Sequence, residues 1–184
     1  VIPDVAKAMT LDFKRVGDFV YVVGETNDEL GASEFTNDGD RISIMGAVPI
    51  VDAKKNAKIY DAVSCAIQKG LVASAIGVGR GGLGVALAKS SIAGKLGVSV
   101  DFAKLPGGAK TPEAVLFSES QGRMLISVRR SVQKEFEKTF KNVPLMHVGE
   151  VVQAASVSIV LPGTKVETPL SALTESYRSF FKDW

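Results

Sequence analysis

Residues 71–102, LVASAIGVGRGGLGVALAKSSIAGKLGVSVDF, place an apolar run over 71–78, a cluster of glycines, an Ala/Leu-rich segment and a second apolar run in direct succession. That order predicts strand, tight turn, helix and strand, and it limits the rest of the chain to elements that can be layered on such a unit. Glycines at Gly77, Gly79, Gly81, Gly82 and Gly84 let backbone approach a neighbour or ligand without side chains between them. The first N–H groups of the helix expected near Leu83 have no intrahelical partner, and they sit at the positive end of the helix dipole. Gly79, Arg80, Gly81 and Gly82 therefore form a candidate phosphate or nucleotide site, with Arg80 contributing a full charge.

Three readings of this turn stand together. Gly77, Gly79 and Gly82 satisfy G-x-G-x-x-G, and Asp101 follows about twenty residues on, the pattern of a NAD(P)-binding dinucleotide fold of an oxidoreductase with Asp101 on a ribose. A phosphate site of another kind needs only the turn and Arg80. A purely structural or interaction domain needs the glycines only for close packing.

The chain of 184 residues suits one domain with a real core, and 46% hydrophobic with 23% charged residues is ordinary globular composition. A net charge of +2, with no basic cluster longer than a pair, argues against a nucleic-acid or membrane-surface protein. No run reaches the length of a membrane span. The one cysteine, Cys65, excludes an internal disulfide, fits a reducing cytoplasm and is expected to fill a small apolar place in a helix. With His147 the lone histidine, neither a zinc site nor a Cys-His relay has the residues it needs, so no metal ligands and no catalytic residues are assigned.

In chain order, residues 1–14 can form a short strand with a polar row of Lys7, Thr10, Asp12 and Lys14, and 18–24 a buried one. A loop through Pro49 follows, then a helix from Val51 that Gly70 stops. After the glycine unit come a short helix from Thr111 to Phe117 capped by the Thr111 hydroxyl, a strand at 123–128, and an amphipathic helix marked by Val132, Phe136 and Phe140. Residues 145–148 and 157–161 look like a closing pair of strands, KVETP like a polar strand, and a last helix with Ser171 as its cap runs through Phe180 and Phe181. The order predicts an α/β fold, a mixed sheet with helices layered on it.

A second candidate site is the turn Ser118-Glu119-Ser120-Gln121, whose hydroxyls, carboxylate and amide suit a polyhydroxylated ligand such as a ribose phosphate. The same groups equally suit a turn that satisfies its own backbone.

The opening VIPDVAKAMTLDFKRVGDFVYVVGET, the ELGASEF turn, GGLGVALAKSSIAGKLGVSVDF and LFSESQGRMLISV, in this order and spacing, resemble the last domain of the phosphoribosylformylglycinamidine synthase family. That family is a branch of the aminoimidazole ribonucleotide synthetase superfamily. The resemblance implies a single C-terminal domain over 1–184 cut from a longer polypeptide, with residues 1–14 leading in from the preceding domain. It implies a role in the cytoplasmic, ATP- and Mg2+-dependent ligation of ammonia to formylglycinamide ribonucleotide in purine biosynthesis. Its partners would be the N-terminal synthetase domains of the same polypeptide and a glutaminase subunit or domain that delivers ammonia. Lys7, Thr10, Asp12 and Lys14 become candidate inter-domain contacts, and Ser118 to Gln121 candidate substrate contacts through the family's Glu-Ser-Gln tripeptide. Where many members carry His-Asp-Val-Ser-Asp-Gly-Gly, this chain has Ile76-Gly77-Val78-Gly79-Arg80-Gly81-Gly82, without the histidine and both acids. The resemblance places the catalytic groups in the N-terminal domains, so the chain alone is expected to be inactive.

Overall fold

In a computed structural model the described residues are 4–36 and 46–179. They form one mixed sheet of seven strands with helices on both faces. The strands are β1 (Phe19–Val23), β2 (Ser74–Gly77), β3 (Gly97–Asp101), β4 (Met124–Val128), β5 (Leu145–Val152), β6 (Ser156–Leu161) and β7 (Thr164–Pro169). The helices are α1 (Ala53–Gln68), α2 (Gly82–Gly94), α3 (Pro112–Phe117), α4 (Gln133–Thr139) and α5 (Leu170–Ser179). The spatial order is β2-β4-β1-β5-β3-β6-β7, with every pair antiparallel except β3 and β6.

Period-two alternation sends each strand's side chains to two cores. Val20, Val22, Leu125, Val98, Val100 and Val151 face one way, under Leu83, Ala86 and Leu87 of α2 and Val115 of α3. Tyr21, Val23, Ile126 and Val128 face the other way, under Ile59, Val63 and Ala66 of α1 and Phe136 of α4. Over β5, β3 and β6 that second face is open, and His147, Ser99, Asp101 and Val160 are exposed there.

Local chemistry sets several boundaries, and the Gly70 stop and the Thr111 cap fall where expected. The Asp52 carboxylate accepts from Lys55 N and caps α1, and Gly70, at φ +69°, follows Lys69 at its end. The Thr111 hydroxyl accepts from Ala114 N and caps α3.

Four expectations are corrected. Residues 5–7 form a 3-10 turn and no strand is found among the described part of 1–14; Asp4 caps the turn through Ala6 N. The strand expected over 71–78 is confined to Ser74–Gly77, because Leu71 N donates to Ala66 O and so closes the end of α1. β5 and β6 do not pair with each other: β5 lies between β1 and β3, and β6 between β3 and β7. The last helix begins at Leu170 rather than after a Ser171 cap. Phe180 and Phe181, and part of the loop before Pro49, lie outside the described residues.

Burial pushes the Asp18 carboxyl above its ordinary value of 3.8, against the pull of Arg15 and Arg129. Its Oδ2 has no hydrogen-bond partner among the described residues. A group whose pKa is raised by folding stabilises the fold fully below its unfolded pKa and loses that contribution as pH rises through the folded value. Asp18→Asn is therefore expected to melt higher than the parent at pH 7, with the gap closing as pH falls below 3.8. Melting curves at the two pH values check this; an equal gap at both would contradict it.

Candidate functional site

The glycine turn runs from the end of β2 into α2, and two other segments close on it. Gly82 N donates to Gly79 O at 2.9 Å, which tightens the turn. Gly81 is the N-cap of α2 in the left-handed region, and Gly82 has φ +66°. A Cβ on Gly82 would lie 2.5 Å from Leu116 O and 2.7 Å from Ser118 O. Bare backbone at Gly82 is thus what lets the start of α2 sit on the end of α3.

Ser118 to Gln121 follow α3 and lie beside this turn. One oxygen of Glu119 accepts from Gly81 N at 2.8 Å and from Glu34 N at 2.9 Å. Both sequence-derived candidates therefore meet at a single carboxylate. The Gly81 donor expected for a phosphate is bonded to Glu119, and the Arg80 guanidinium is paired with Glu34. That pair is exposed, with the Arg80 side chain 82% accessible, so it contributes little to stability. Phe35 and Phe117 stack at 5.1 Å beneath the same junction.

Within the second turn, Ser120 Oγ accepts from Asn27 N at 3.0 Å, and Gln121 Nε2 donates to Glu119 O at 3.2 Å. Ser118 and Ser120 are buried, and the Ser118 hydroxyl has no hydrogen-bond partner among the described residues. Gln121 is the member exposed to solvent. Beside it opens a cleft of about 230 Å³ lined by Glu25, Asn27, Glu29, Asp52, Lys55 and Asn56 together with Ser120 and Gln121. Lys55 is paired with Glu25 at 2.5 Å. On the other side of the glycine turn a smaller cleft of about 140 Å³ is bordered by Arg80, Gly82, Val85 and Lys89. A larger one of about 500 Å³ lies on the open sheet face, where Arg130 is paired with Glu150 at 2.6 Å and His147 meets Phe19 edge-on.

Sequence reading missed the residue beneath the junction. Arg123 is 1% exposed; its Nε donates to Ser120 O at 2.9 Å, its Nη1 to Thr26 Oγ1 at 3.2 Å and its Nη2 to Ser118 O. Burial pushes its guanidinium down to about 10, against Glu29 and Glu119, so it stays charged at neutral pH. Nothing local in the sequence marks this role, because its partners are backbone carbonyls and a threonine 97 positions away. Glu29 and Glu34 belong to a stretch that reads only as a polar turn.

The remaining candidates stand apart from this junction. Lys7 Nζ donates to Gln68 O, Lys14 pairs with Asp12 at 2.6 Å and reaches Thr10 Oγ1. The Lys14 hydrogen bond holds Asp12 below the usual carboxylate range. Asp101 accepts from Ala103 N at the end of β3. A dinucleotide unit requires its two strands side by side and parallel, whereas β4, β1 and β5 lie between β2 and β3. Cys65 is half-buried on α1. Among the described residues no group of three or more His, Cys, Asp or Glu is placed to hold a metal ion, and no helix is long and apolar enough to cross a membrane.

Residues 15–162 match the family described as AIR synthase related protein, C-terminal domain. Among solved structures, Thermotoga maritima PurL complexed with FGAR is 22% identical with a TM-score of 0.79, the likeness covering 92% of this chain and 30% of that one. A structure of phosphoribosylformylglycinamidine synthase II from the same organism gives 21% identity, a TM-score of 0.75 and coverage of 92% and 28%. HypE of E. coli, a hydrogenase maturation protein, gives 17%, 0.63 and coverage of 89% and 52%. The chain thus spans less than a third of the length of the synthase chains it resembles.

Proposed function

The chain belongs to the family of AIR synthase related C-terminal domains, and from that premise we propose that it is the last such domain of a phosphoribosylformylglycinamidine synthase. In this reading residues 1–184 are one domain of a longer, cytoplasmic, ATP-dependent ligase that joins glutamine-derived ammonia to formylglycinamide ribonucleotide. The domain has no turnover of its own. It lines part of a ligand site and packs against its N-terminal partner domain through the side that carries Lys7, Thr10, Asp12 and Lys14. A glutaminase subunit or domain supplies the ammonia.

The observation that carries the proposal is the convergence of 79–82 and 118–121 on the Glu119 carboxylate. Two segments that the family resemblance singles out separately are brought to one place by the fold. A ligand phosphate arriving here would take the Gly81 N–H now held by Glu119 and the Arg80 charge now paired with Glu34, while the Ser120–Gln121 side offers acceptors and donors to hydroxyls. The domain's contribution to rate is then orientation of the ligand.

In the full synthase, Arg80→Ala is expected to raise KM for the ribonucleotide or for ATP about tenfold, the usual scale of one charge-assisted contact, with little change in kcat. One specific observation favours a second reading, a structural lobe without a ligand: both Gly81 N and Arg80 already have carboxylate partners. Steady-state kinetics separates the two, because a structural lobe leaves KM and kcat unchanged in Arg80→Ala.

A further inference from the structure

We infer that Arg123 is a positioning residue of the junction, which aims Glu119 at the glycine turn by fixing the backbone on either side of it. The two carbonyls that accept from Arg123 are those of Ser118 and Ser120, the residues immediately before and after Glu119. Fixing the Ser118 oxygen fixes the peptide plane that enters Glu119, and fixing the Ser120 oxygen anchors the plane one residue beyond it, so the backbone that sets the direction of the Glu119 Cα–Cβ bond is held at both ends. A third donor holds Thr26 Oγ1, at the start of the loop that carries Glu29. The planar guanidinium can serve these acceptors at once from a buried position, whereas an ammonium reaches them as a single point.

The consequence lies away from Arg123. Glu119 in turn holds Gly81 N and Glu34 N, which belong to two other segments, and Glu34 holds Arg80. A guanidinium at the base thereby sets the position of Arg80, an exposed cation at the mouth. Burying a charge among neutral acceptors is costly unless nearby opposite charge compensates, and Glu29 and Glu119 both stabilise this one. That cost is hard to account for if the turn needed only a neutral filler.

As a role in ligand binding the inference rests on the reading of 79–82 and 118–121 as ligand-contacting; as a role in positioning Glu119 it does not. The test is residue-resolved amide exchange on the chain, comparing Arg123→Lys, Arg123→Gln, Glu119→Ala and Arg123→Lys combined with Glu119→Ala. Positioning predicts that exchange at Gly81 and Glu34 rises at least about tenfold in both Arg123 variants, while Val98 and Ile159 in the core keep their protection. It also predicts that adding Arg123→Lys to Glu119→Ala raises exchange at those two amides no further, since both changes act through one carboxylate. Unchanged exchange at Gly81 and Glu34 in a folded Arg123→Lys overturns the inference, as does additivity in the double variant. Failure of both Arg123 variants to fold also overturns it, by making the residue part of the core. In the full synthase, Arg123→Lys should raise KM for the ribonucleotide about tenfold with kcat preserved. Raised exchange with an unchanged KM leaves the positioning of Glu119 standing and removes the ligand reading.

Discussion

Gly82→Val is expected to cost more than about 3 kcal/mol and to lower the melting temperature by about 10 °C, or to prevent folding altogether. Two effects add. Gly82 has φ +66°, which a β-branched residue adopts only with strain. Its Cβ would also fall 2.5 Å from Leu116 O and 2.7 Å from Ser118 O, both backbone atoms that cannot rotate aside. Relief requires α2 to lift from the end of α3, which separates Gly81 from Glu119. Gly79→Ala is the control: nothing lies within 4 Å of a Cβ there, so its effect is expected to stay below about 1 kcal/mol. Urea midpoints of the two variants check the pair, and a Gly82→Val protein as stable as Gly79→Ala would show that the seating of α2 on α3 is wrong.

Leu87→Ala is expected to destabilise by about 3 kcal/mol, within the usual range for a fully buried leucine. Leu87 is wholly inaccessible on α2 and belongs to the core that joins that helix to the sheet. Because α2 carries the glycine turn at its start, the cavity loosens the element that positions Gly81. Tyr60→Ala on α1, where the side chain is 50% exposed, should cost no more than about 1 kcal/mol. Equal losses at the two positions would contradict the placement of the α2 core. Melting and denaturant curves of both variants decide it.

How much of this was legible in the sequence depended on whether the signal was local. The Gly70 stop and the Thr111 cap are each satisfied within three residues or so, and both appear in the structure. The strand at 71–78 misled because its apolar run serves two masters. Leu71 and Val72 are buried in the core under α1, and only from Ser74 does the chain join the sheet beside β4. The pairing of β5 with β1 and β3 had no local mark, since it depends on which strands the crossing helices bring together. At the site, both turns were found by their residue types, but their meeting was not. The residue types make Glu119 a candidate ligand contact, but they carry no sign that its side chain reaches Gly81 and Glu34, 38 and 85 positions away. Arg123 was hidden for the same reason, as a strand-leading arginine carries no sign that its bonds go to backbone oxygens.

The proposed function makes this chain one domain of a ligase that works only beside the others. Its most direct test is an assay of ADP release with formylglycinamide ribonucleotide, ATP–Mg2+ and ammonium. The purified chain, a synthase from which this domain has been removed, and the two mixed in trans would be compared. The account predicts no turnover by either piece alone and recovery on mixing, with recovery reduced when the added chain carries Arg80→Ala. Turnover by the chain alone, or full turnover by the truncated synthase without it, would contradict the account.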